Sequence, residues 1–100
     1  MDYIGYESLL NSSKKFKSQD FEFDGGKVNI QELSGGNLSA MNEAETANDR
    51  LAIVLFNGLV KPKMMDLKDC HEMIDKNYKL ANEVGIEILK LSGVIEPEKN

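Results

Sequence analysis

From Leu51 to Val60 the chain reads Leu-Ala-Ile-Val-Leu-Phe-Asn-Gly-Leu-Val, its only long apolar run, and the remaining pattern is arranged around it. Upstream, Met41, Ala44, Ala47 and Leu51 recur at three- and four-residue steps, the spacing of one buried helical face. A middle helix is therefore predicted over 38–60. From Leu51 onward the single face is lost: Leu51, Val54, Leu55 and Leu59 continue it, while Ile53, Phe56 and Val60 make a second stripe. A helix that is apolar nearly all round needs cover on two sides. The second cover comes either from the other elements of the domain or from a second subunit or partner.

A different period precedes this helix. Phe21-Glu22-Phe23-Asp24 and Lys27-Val28-Asn29-Ile30 alternate apolar and polar positions on either side of Gly25-Gly26, which predicts a β-hairpin. With the two glycines as the loop, Asp24 faces Lys27, Phe23 faces Val28, Glu22 faces Asn29 and Phe21 faces Ile30. All four large apolar side chains then lie on one face, and two strands need that face covered by helices.

Turn and cap residues divide the rest. Leu33-Ser34-Gly35-Gly36-Asn37 breaks the pattern after the hairpin, Asn37 or Ser39 can cap the middle helix near Leu38, and Glu43 and Glu45 fall near its positive end. Lys61-Pro62 closes it. Asp66 then caps a run in which Leu67, Cys70, Ile74, Tyr78, Ala81, Val84, Gly85, Ile88 and Leu91 keep helical spacing. Asp75-Lys76-Asn77 interrupts that run, predicting two helices over 67–75 and 77–92, stopped by Ser92-Gly93. Near the start, Tyr6 to Leu10 suits a helical turn and Asn11-Ser12-Ser13 with Lys14, Lys15 and Lys17 a solvated connection. The expected organisation is a weakly structured segment over 1–18, one globular domain over 19–95 and a disordered tail over 96–100. The fold class is α+β and mainly helical, an N-terminal hairpin packed on about three helices.

Composition narrows the function. A chain of 100 residues makes one domain with a modest core. Its single cysteine, Cys70, gives no sign of an oxidising compartment, the first residues lack the pattern of a signal peptide, and no run approaches the ~20 apolar residues that cross a bilayer. A soluble protein of the cytoplasm is the expectation. A formal net charge of −5, with Arg50 the only arginine, argues against a nucleic-acid partner.

Motifs for chemistry are weak. Asp20-Phe21-Glu22-Phe23-Asp24-Gly25 resembles half of a calcium loop, but Gln31 stands where the bidentate glutamate belongs and the hairpin explains the same alternation. Cys70 and His71 point about 100° apart on a helix and do not share a metal. His71 and Asp75 make a surface pair with no nucleophile beside it. No catalytic, cofactor or metal residues are expected, and an enzyme is not the reading. Met64 and Met65, just past Pro62, are either an adaptable contact surface or core filler. With Ile53, Phe56 and Val60 they are the candidate surface for a partner or for self-association.

Three features in order, Phe21-Glu22-Phe23-Asp24-Gly25 leading through Val28 and Ile30 to Glu32-Leu33-Ser34, then a helical middle, then Ile86 to Leu89 leading to Leu91-Ser92-Gly93, resemble the small tail assembly chaperones of long-tailed, lambda-like bacteriophages. The resemblance covers about 21–94. It implies a small, mainly helical protein of the bacterial host cytoplasm, without enzymatic activity, that binds the tape measure protein and helps the tail tube protein assemble around it. It implies also a longer product made by a −1 ribosomal slip. Glu98-Lys99-Asn100 can be encoded GAA AAA AAC, containing the slippery A AAA AAC. The competing reading is a small regulatory or adaptor module that binds protein.

Overall fold

Leu55, at the middle of the apolar run, is wholly excluded from solvent, and the elements around it account for that. The computed structural model describes residues 3–11 and 16–95. In chain order these form α1 (Tyr6–Asn11), β1 (Ser18–Phe23), β2 (Gly26–Gln31), α2 (Gly35–Glu43), α3 (Ala47–Gly58), β3 (Leu59–Lys61), α4 (Leu67–Lys76) and α5 (Tyr78–Leu91). The fold is α+β and mainly helical, with the N-terminal hairpin packed on helices as expected. α3 is its hub, touching α2, α4, α5, β2 and β3. α1 has the helical turn read from Tyr6 to Leu10, and among the described residues it makes no contact with another element. The expected connection falls partly, and the 96–100 tail wholly, outside the described residues.

The predicted middle helix is two helices and a strand. α2 starts at Gly35, not near Leu38, because Ser34 is its cap: the Ser34 hydroxyl accepts the Asn37 N–H and the Asn37 side chain accepts the Ser34 N–H, both at 3.1 Å. This reciprocal pair satisfies two donors that a helix start leaves open. A second cap then divides the run. Thr46 Oγ1 accepts the Asp49 N–H at 3.0 Å, and Arg50 Nη1 donates to the Ala44 carbonyl freed at the end of α2. Glu43 therefore lies at the negative end of α2 rather than at a positive one. Apolar spacing ran unbroken across the join and concealed it.

At its other end α3 stops at Gly58, and Leu59, with φ −82° and ψ 124°, is already extended. Gln31, last residue of β2, donates through Nε2 to the Asn57 carbonyl at 3.2 Å, so a group released by the helix is met by the sheet. β3 runs antiparallel to β2, with Ile30 opposite Leu59 and Asn29 opposite Lys61 across a local irregularity. Leu59 and Val60 are thus strand, where helix was expected.

The hairpin has the predicted faces with a different register. Phe21 lies opposite Val28, Glu22 opposite Lys27 and Phe23 opposite Gly26, so the loop is Asp24-Gly25 and not Gly25-Gly26. Gly25 supplies the positive φ, 116°, that the turn requires. A shift of two residues preserves alternation, and Phe21, Val28 and Ile30 still face the helices. The expected Asp24–Lys27 pair is replaced by Asp20, which accepts from Asn29 Nδ2 at 2.9 Å and lies 3.7 Å from Lys27 Nζ.

α4 and α5 follow the predicted division. Asp66 caps the first by accepting the Asp69 N–H at 2.9 Å, and Asn77 ends it while capping the second. Gly93, at φ +80°, turns the chain so that the Gly93 and Val94 N–H groups meet the Lys90 and Leu89 carbonyls. The core joins Ile30 and Leu33 to Ala52, Val54, Leu55, Leu59, Cys70, Ile74, Ala81, Val84 and Ile88.

Burial governs Cys70. Removal from water, with Asp69 and Asp66 adding a smaller repulsion of the anion, pushes its thiol up to about 11. The folded state therefore holds this proton more tightly than the unfolded chain, and stability is expected to fall as pH rises from about 9 toward 11. Because the thiolate is the reactive form, iodoacetamide at pH 8 is expected to label native Cys70 at least ~100-fold more slowly than the urea-unfolded chain, since attack must await opening. Equal rates by mass spectrometry would show an accessible thiol.

Candidate interaction surface

The five side chains singled out from the sequence fall into three environments. Phe56, near the C-terminal end of α3, and Val60, in β3, line one open groove of about 330 Å³ together with Gln31, Asn57, Leu59 and Lys63. Both are half-buried, and Phe56 also packs against the core, so the second stripe is covered in part by the domain itself. Ile53, one turn earlier on α3, is half-buried and does not line that groove. Met64 is half-buried and packs on the core, whereas Met65 is 84% exposed. The two methionines divide the alternatives between them.

Leu67 was expected on the buried face of α4, yet it is 44% exposed, two residues beyond Met65. It keeps helical spacing with Cys70 and Ile74 but stands at the first turn of α4, beside the Asp66 cap, where that stripe is left open. Met65 and Leu67 thus add exposed apolar surface near the loop that follows β3. Gln31, Asn57 and Lys63 complete the groove with polar groups, and only the pairing of β3 with β2 brings Gln31 there.

The residues weighed for chemistry are dispersed. His71 Nε2 lies 3.3 Å from Asp49 Oδ1, joining α4 to α3 instead of pairing with Asp75 along α4. Both side chains are well exposed, so the contact contributes little. Among the described residues no three His, Cys, Asp or Glu side chains gather to hold a metal ion, and no buried polar side-chain atom lacks a partner. The Asp20 carboxyl is held below its ordinary range, first by the Asn29 hydrogen bond and then by the charge of Lys27. Its oxygens serve the sheet.

Comparison of the chain with family models, with curated proteins and with solved structures finds no match. Among the described residues no helix is long and apolar enough to cross a membrane.

Proposed function

We propose that this chain is a tail assembly chaperone of a long-tailed bacteriophage, acting without catalysis in the host cytoplasm. It holds the tape measure protein, promotes assembly of the tail tube around it, and associates with copies of itself; a longer −1 frameshift product extends its reach to the tube protein. The observation that carries this reading is apolar surface left open in two places, the groove lined by Phe56 and Val60 and the exposed side chains of Met65 and Leu67. A long helix-rich client exposes apolar seams before it is enclosed, and adaptable methionine-bearing surface suits such seams. The resemblance of 21–94 to the family supports the same assignment. A net charge of −5 keeps a protein with such a surface soluble.

The test is co-expression with a tape measure protein of a long-tailed bacteriophage, taken from the genome that encodes this chain. Met65→Glu introduces a charge at a side chain that is 84% exposed, so the fold is expected to survive with a melting temperature within about 2 °C of the parent. Client recovered by co-purification is expected to fall at least ~10-fold, the cost of burying one unpaired charge in an apolar contact. Undiminished recovery by the folded variant would place the client elsewhere. Phe56→Glu is a poorer probe, because Phe56 also supports the core.

A further inference from the structure

The sheet order is β1-β2-β3, which among the described residues leaves one long side of β1 without a neighbouring strand. Beside its far end lies a groove of about 370 Å³, walled by Glu22, Phe23 and Asp24 on one side and by Asn77, Lys79, Leu80 and Glu83 of the α5 start on the other. Successive strand residues point to opposite faces of a sheet. Glu22 and Phe23 both line the groove and β2 contributes no residue to it, which places it at the side of β1 away from β2. An edge of this kind offers backbone donors and acceptors to an extended segment.

The charges select the segment. Glu22, Asp24 and Glu83 line the groove with Lys79, and Lys27 lies opposite Glu22 on β2, so acids still outnumber cations there, while Phe23 and Leu80 supply an apolar patch on the helix side. An incoming strand would place alternate residues against these two environments. We propose that β1 is an augmentation site for an extended partner segment that alternates basic and apolar residues, the basic ones over Glu22 and Asp24 and the apolar ones between Phe23 and Leu80. A second copy of β1 is the wrong occupant. In a continuous antiparallel sheet with both helical layers on one side, even-numbered residues of β1 face even-numbered ones, and besides Ser18 these are the acids Asp20 and Glu22. Like charges directly opposite each other are destabilising. The inference stands independently of the chaperone reading, which concerns the opposite end of the sheet.

The probe is a fluorescein-labelled, end-blocked octapeptide of alternating valine and lysine, titrated against the full chain by fluorescence anisotropy at low salt, with alternating valine and glutamate as its control. The lysine peptide is expected to bind at least ~10-fold more tightly than the control. Glu22→Lys is expected to weaken it ~10-fold, and Glu72→Lys, on α4 away from the groove, by less than ~2-fold. Bound peptide is expected to slow amide exchange within 18–23. Equal losses from both variants, or no change in β1 exchange, would mean general attraction to an acidic protein and overturn the proposal. Sedimentation showing a dimer whose formation slows amide exchange within 18–23 would overturn it in favour of a second copy.

Discussion

Replacing Leu55 with alanine is expected to remove about 2–5 kcal/mol of stability, the range for truncating a large buried aliphatic side chain in a site that collapses only partly. Leu55 has no exposed surface and sits on the helix that touches five of the other elements. Relaxation around it would have to involve the sheet and the helices at once, which places the cost in the upper half of that range. A domain of this size is stable by roughly 5–15 kcal/mol, so one substitution removes a large share of the whole. Urea denaturation followed by circular dichroism gives the value. A loss under ~1 kcal/mol would mean that the site closes over, and the hub role of α3 would be wrong.

The second large effect comes from adding an atom. A Cβ built on Gly58 would lie 2.5–2.9 Å from the Cδ1, Cγ2 and Cγ1 atoms of Ile88. Two of those belong to the stiff branched part of the side chain, which has few alternative rotamers. Gly58→Ala is therefore expected to destabilise by ~1–3 kcal/mol from overpacking, despite the gain in helix propensity. Gly85 makes a useful contrast: the close neighbour there is a terminal methyl of Leu51, which can rotate away. Gly85→Ala is expected to cost less than Gly58→Ala in the same denaturation assay. Combining Gly58→Ala with Ile88→Ala should cost at least ~1 kcal/mol less than the two singles summed, because each relieves the other. Strict additivity would show that Gly58 and Ile88 do not meet.

Local patterns carried much of this fold. The two-residue alternation from Phe21 to Ile30 put the right side chains on the core face, and a register differing by two residues left those faces unchanged. Asp66, Asn77 and Ser92-Gly93 set α4 and α5 because each supplies its own cap. The join between α2 and α3 was hidden by competing information: apolar spacing continues through Ala44 and Ala47, while Thr46 and Asp49 carried the cap spacing that marked a new start. β3 was harder still. Three residues at the end of an apolar run have no period of their own, and pairing of Ile30 with Leu59 is a contact across nearly thirty positions that no local pattern contains. The surface was legible to the same degree. A second stripe on α3 announced that cover would be needed, whereas the exposure of Leu67 and the arrival of Gln31 at the groove depend on how distant elements meet.

One contact closes the molecule: the Leu33 N–H donates to Ser92 Oγ at 2.9 Å, and that hydroxyl in turn donates to the Ile88 carbonyl. Synthesis proceeds from the N-terminus, so the β2–α2 corner leaves the ribosome while its eventual partner at the end of α5 has yet to be made. Ile30 and Leu33 have no complete shelter during that interval, although the hairpin to which Ile30 belongs is already out. The domain therefore reaches its final form only after residue 92 has emerged, and a nascent chain arrested earlier would present the sheet's apolar side to whatever is near.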